Sequence, residues 1–136
     1  MNAILDTSVL LGPGALDRVT GDTAISVITL GELHFGVARA RDSQRRAERT
    51  LLLGTVESLF DPLPVTPVIA RIWGQLCGAA VERGLRPRRG TADLLIAATA
   101  RAHRARLYTC DRDLAPLADL LELEVVEPHS SPGQGG

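Results

Sequence analysis

Thr91-Ala92-Asp93-Leu94-Leu95-Ile96-Ala97-Ala98-Thr99-Ala100, followed shortly by Arg106-Leu107-Tyr108-Thr109, sets a helix directly before a strand. Thr91 stands as the cap of an Ala-rich apolar helix predicted from Ala92 to about Ala102. Asp93 falls in its first turn, where the macrodipole and unpaired amides favour an acid. Arg106 to Thr109 then reads as a strand, with Asp111 just beyond its end. The same pairing of an apolar run with an acid occurs upstream, where Ala3-Ile4-Leu5 meets Asp6 and Ala24-Ile25-Ser26-Val27-Ile28 precedes Glu32. Strands alternating with helices imply a parallel sheet covered on both faces.

Working outward, residues 2–5 read as the first strand, followed by a loop around Gly12-Pro13-Gly14 with little room for a long helix. Residues 24–28 read as the second strand, and the 17 residues between Asp6 and Ala24 exceed the dozen or so that a parallel crossover needs. Thr29 is expected to cap a helix to about Arg39, with Glu32 completing a capping box. A second helix is predicted from about Asp42 to Leu59, carrying a charged face of Arg45, Arg46, Glu48 and Arg49. Asp61-Pro62-Leu63-Pro64 stops it and leads into a short strand near Leu63–Val65. Pro67 opens the helix Val68 to Arg83, which ends at Gly84. Asp113 to Leu120 reads as a short helix and Leu123 to Val126 as the last strand. One α/β domain is expected over residues 1–127, and the Ser-, Pro- and Gly-rich tail 128–136 is expected to be disordered.

All 15 basic residues are arginine. Chemistry that needs a catalytic lysine is therefore excluded, including P-loop nucleotide hydrolysis and a lysine-assisted phosphoacceptor site. Arginine also suits phosphate recognition, because the guanidinium fork matches phosphate oxygens, although a genomic composition bias explains the same count. No apolar run is long enough for a membrane span, and Asp6 comes too early for a signal peptide. A cytoplasmic protein is expected, with Cys77 and Cys110 as reduced, buried thiols. His34, His103 and His129 are dispersed and fit no zinc spacing. Trp73 shares a helical stripe with Ile69, Ile72, Leu76 and Ala80, which marks it as core or dimer interface.

Four acids carry the chemical argument. In a parallel sheet the carboxyl ends of the strands share one edge, so Asp6, Glu32, Asp93 and Asp111 can converge there. Converged carboxylates repel one another unless a cation offsets their charge. Each acid taken alone also has a structural reading: Asp6 and Asp93 as helix-start acids, Glu32 as half of a capping box, and Asp111 as a turn residue.

Four segments in order resemble the motifs of PIN-domain ribonucleases, specifically the VapC-like toxins of bacterial type II toxin–antitoxin pairs. They are Met1 to Leu10, Ser26 to Leu33 followed by Gly36-Val37, Thr91 to Ala100, and Tyr108 to Leu114. The resemblance implies a PIN-like three-layer α/β/α fold and an acidic metal site of Asp6, Glu32, Asp93 and Asp111. It adds Asp113 as a candidate fifth acid and the Ser8 and Thr109 hydroxyls as accessories, each with a cap or turn role as the alternative. Hard carboxylate oxygens suit Mg²⁺, with Mn²⁺ as substitute. The implied reaction is cleavage of tRNA or another structured RNA by metal-activated water, leaving a 5′-phosphate and a 3′-hydroxyl. The implied partners are a VapB-like antitoxin and a second copy of the chain. Arg86, Arg88 and Arg89 are candidate RNA contacts, with a solvated loop or an antitoxin patch as alternatives. A structure-specific DNA nuclease of the same fold and a catalytically silent interaction module are the rival readings.

Overall fold

Side-chain alternation along two central strands sets the layers of the computed structural model, which describes residues 1–12, 22–86 and 91–126. Strand β1 (Ala3–Leu5) pairs in parallel with β3 (Arg106–Thr109), placing Ile4 opposite Leu107 and Leu5 opposite Tyr108. Successive strand residues point to opposite faces, so Ile4 and Leu107 enter one core while Ala3, Leu5 and Tyr108 enter the other. The first core is closed by α4 (Pro67–Glu82), α5 (Thr91–Ala102) and a 3₁₀ helix (Ala115–Leu120), through Ile69, Leu76, Ile96 and Leu117. The second is closed by α1 (Thr7–Leu11), α2 (Val27–Ala38) and α3 (Ser43–Leu59), through Val9, Leu33, Leu53 and Val56. The expected three-layer α/β/α arrangement is thereby realised.

Strands β2 (Thr23–Ala24) and β4 (Leu123–Val125) complete a four-stranded, all-parallel sheet in the order β2-β1-β3-β4. The chain steps outward from β1 to β2, returns past β1 to β3, and steps outward again to β4. Beyond the carboxyl ends of β1 and β3 the winding direction reverses, which opens a crevice between neighbouring strands. The Asp6 amide donates to the Tyr108 carbonyl at 2.9 Å across that point.

The second strand is shorter than predicted. Ser26 caps α2, its hydroxyl accepting from the Ile28 amide at 3.0 Å, so Val27 and Ile28 are helical. The expected capping box at Thr29 and Glu32 does not form. Thr29 and Leu33, one turn apart, instead bury the inner face of α2. The β-branched pair Val27-Ile28 reads locally as strand, but the Ser26 cap and the helical spacing of the buried positions prevail. The strand expected near Leu63–Val65 is reduced to a single parallel bridge between Leu63 and Ser26. Asp113 precedes the 3₁₀ helix rather than opening a helix of its own.

Two further expectations hold and one is corrected. Trp73 packs against the α4–α5 core. His34 is an exposed partner of Glu57 at 3.2 Å. Cys77 and Cys110 are half-buried, more open than expected, and burial pushes the Cys77 thiol pKa up. No described helix is long and apolar enough to cross a membrane.

Gly84 follows α4 with φ +75°, the left-handed conformation that ends the helix. A Cβ there would meet nothing within 4 Å, so Gly84→Ala tests backbone preference alone. It is expected to destabilise the domain by about 1 kcal/mol in urea unfolding.

Candidate active site

The acids reach the crevice from four different elements. Asp6 is the N-cap of α1, and its Oδ1 accepts from the Ser8 amide at 2.5 Å. Its Oδ2 accepts from the Thr109 hydroxyl at 2.7 Å, so both oxygens are held, although the side chain is only 3% exposed. Thr109 has one hydroxyl proton, which goes to Asp6. The Ser8 hydroxyl, 3.2 Å away, must therefore donate to Thr109, while its own oxygen accepts from the Cys110 amide at 2.8 Å. The Asp111 amide completes the turn by donating to Thr109 Oγ1 at 3.0 Å.

Ser8 and Thr109 thus join the end of β1 to the end of β3. Thr109 is fully buried and acts through Asp6, so its hydroxyl aims Asp6 rather than facing open space. Asp111 in turn accepts from the Asp113 amide through Oδ1 at 2.9 Å. Asp113 itself is exposed at the rim.

Glu32 arrives from the second turn of α2. The Thr7 hydroxyl donates to its Oε1 at 2.5 Å and lies 3.2 Å from the buried Thr29 hydroxyl. Thr7 and Thr29 were not singled out from sequence as site residues. A threonine directly after a strand-end acid was the available signal for Thr7. The role of Thr29 was hidden because it was read as a helix cap.

Asp93, in the first turn of α5, is half-buried. Its pKa is pushed up to about 6, first by burial and then by the charges of Asp6, Glu32, Asp111 and Asp113. Asp6, Glu32, Asp111 and, beyond them, Asp113 therefore all lie near enough to Asp93 to act on it. Beside Asp93 lies a recess of about 440 Å³ whose walls include Arg86, Leu94, Arg112, Asp113 and Leu114. Arg86 is thus brought to the site, whereas Arg88 and Arg89 lie outside the described residues. Among the described residues no three His, Cys, Asp or Glu side chains form a ready-made cage for an ion.

The PIN domain family matches residues 3–120. Ribonuclease VapC4 of Mycobacterium tuberculosis is 35% identical over 87% of this chain and 92% of its own length. Ribonuclease VapC5 of the same organism is 36% identical over 90% of this chain and 93% of its own. Among solved structures, the VapBC-5 toxin–antitoxin complex from M. tuberculosis aligns with a TM-score of 0.80 at 34% identity, covering 93% of this chain and 99% of the matched one. FitAcB from Neisseria gonorrhoeae aligns with a TM-score of 0.72 at 28% identity, covering 89% and 95%. A family match across most of the residues, and relatives aligned over nearly their whole length, place this chain in the PIN-domain family, among its VapC-like members.

Proposed function

We propose that the protein is a divalent-cation-dependent endoribonuclease, the toxin of a type II toxin–antitoxin pair, acting on tRNA or another structured RNA. The observation that carries this reading is Asp93, a half-buried carboxyl whose pKa is raised by burial and by four neighbouring acids. Such a cluster is unfavourable at neutral pH unless a cation offsets it. The donor set fits Mg²⁺, being oxygen only, and Mg²⁺ is commonly held by one or two carboxylates with several waters retained.

In this reading Asp6 and Asp93 are the principal ligands, and Glu32 and Asp111 complete the acidic surround. When bound, the ion supplies Lewis acidity, lowering the pKa of water and neutralising charge that develops on the phosphate. The residues of the chain do the positioning. Thr109 and the Ser8 amide fix the two oxygens of Asp6, and Thr7 fixes Glu32. No side-chain nucleophile is required: water attacks phosphorus, the bond to the 3′ oxygen breaks and that oxygen leaves as a hydroxyl, giving the 5′-phosphate and 3′-hydroxyl ends that the family resemblance implies. The matched VapBC-5 structure belongs to a family of toxin–antitoxin systems, which supports a VapB-like antitoxin as partner; a homodimeric toxin within the assembly is part of the same proposal. Action on tRNA would place the protein in the cytoplasm, where that substrate is found.

Cleavage of labelled tRNA in Mg²⁺, its loss in chelator and its restoration by Mn²⁺ are the expected results. Cleavage undiminished by chelator refutes the cation requirement, and cleavage confined to single- or double-stranded DNA refutes the ribonuclease assignment. Thr109→Val keeps the side-chain shape but removes the hydrogen bond to Asp6. It is expected to weaken Mn²⁺ binding, followed by calorimetry, by about 10–100-fold, the usual cost of losing a group that orients a ligand.

A further inference from the structure

Four arginines converge where α2 turns into α3. Arg39 ends α2, Arg41 precedes the α3 cap Asp42, and Arg45 and Arg49 stand one turn apart on α3. Together they line a recess of about 440 Å³. Among the described residues Asp42 alone forms an ion pair with them, reaching Arg45 at 3.7 Å in an exposed contact that contributes little. Two of the four guanidiniums are held in place, Arg49 by donating to the Gly36 carbonyl at 2.7 Å and Arg39 over the Phe35 ring at 5.4 Å. Like charges one turn apart repel, and a cation in the first turn of a helix opposes its macrodipole. The corner therefore concentrates positive charge at the surface, which a bound anion would offset.

The recess is not isolated. Arg39 and Arg49 also wall a second groove, which runs to Thr7 and Glu32 at the candidate active site. We infer that Arg39, Arg41, Arg45 and Arg49 form a phosphate subsite that holds the RNA backbone away from the bond being cleaved. This inference rests on the ribonuclease reading and adds a substrate-binding surface to it. Guanidinium forks match phosphate oxygens, and a nucleic-acid backbone presents such anions in series along a groove. The recess itself is lined by arginine alone, which suits a phosphate, whereas the adjoining groove adds the apolar Leu11, Leu33, Phe35 and Leu52, so a peptide partner is the rival occupant that the test separates. Phe35, 62% exposed beneath Arg39, offers a ring on which an unpaired base can stack.

The test uses the full-length protein in chelator, so that binding is read without cleavage, and fluorescence anisotropy of a mixed-sequence single-stranded RNA across a salt series. The double variant Arg41→Ala/Arg45→Ala removes two exposed cations that contribute nothing to the acidic site. Its affinity is expected to fall about tenfold, and its log–log salt slope to become shallower by about 1.4, at roughly 0.7 for each lost phosphate contact. Arg41→Lys/Arg45→Lys keeps both charges and should keep most of the slope, which separates phosphate binding from a change in folding. Unchanged affinity and slope in the alanine variant would overturn the inference while leaving the nuclease reading intact. Normal RNA binding with loss of the antitoxin complex would overturn it too, assigning the corner to a protein partner. Neither binding nor cleavage of RNA by the unaltered protein would sink both.

Discussion

Asp93→Asn is expected to reduce Mg²⁺-dependent RNA cleavage by at least about 100-fold, since losing even an indirect partner of a metal ligand costs 10–100-fold. The same substitution is expected to make the metal-free protein more stable at pH 7.5. In the folded chain the Asp93 pKa is raised from 3.8 to about 6 by burial and by its acidic neighbours. A raised carboxyl favours the folded state only while protonated. Its contribution is complete below pH 3.8 and is lost as the pH rises through about 6. A shift of that size corresponds to roughly 3 kcal/mol for a fully buried group, and solvent screening of half-buried Asp93 reduces it to about 1 kcal/mol. Asparagine carries no charge at any of these pH values. The variant should therefore melt about 3–5 °C higher than the parent at pH 7.5 in chelator, with the difference shrinking toward pH 5. Adding Mg²⁺ should raise the melting temperature of the parent more than that of the variant. A variant that melts lower than the parent at pH 7.5 would contradict the acidic-cluster account.

Asp6→Ala is expected to abolish cleavage as well, but with the opposite effect on stability. Asp6 is buried, caps α1 through the Ser8 amide and accepts the Thr109 hydroxyl. Alanine removes the cap, worth about 1 kcal/mol, and leaves a buried hydroxyl without its acceptor, at about 1–2 kcal/mol more. A loss of about 2–3 kcal/mol in chemical denaturation should follow, largely independent of added Mg²⁺. The contrast between two acids of one site is the informative measurement. Asp93 bears the repulsion of its neighbours, whereas Asp6 has its oxygens satisfied by the fold. Equal stability changes in the two variants would show that this division is wrong.

Much of this was legible in the residues. Ala3-Ile4-Leu5 and Arg106 to Thr109 are short apolar runs with an acid close behind, and both are central strands. Pro67 and Gly84 bracket α4 because one residue presets a helical φ and the other accepts a left-handed one. Asp42 was legible as the start of α3, which it caps. The sequence misleads at the run Val27-Ile28, where branched side chains imitate the end of a strand, and it places the helix cap at Thr29 instead of Ser26. Burial against the sheet, through Thr29 and Leu33, makes that run helical. β2 is only two residues long, too short for alternation to register, and it forms because β1 supplies its hydrogen-bonding partner.

The same division runs through the four acids. Sequence alone determined which carboxylates lie at strand ends and helix starts, because that depends on local pattern and capping chemistry. It also determined that no lysine takes part in the chemistry. Only the tertiary structure decided that β1 and β3 are neighbours, which brings Asp6 and Asp111 to one crevice and sets Glu32 and Asp93 around it. It alone assigned the hydroxyls, since the bond from Thr109 to Asp6 joins residues 103 positions apart. It likewise gathered four arginines from two helix ends into one recess. Hydrogen bonds and charge repulsion act over a few ångströms, so they depend on which strands lie side by side, and no local stretch of chain specifies that.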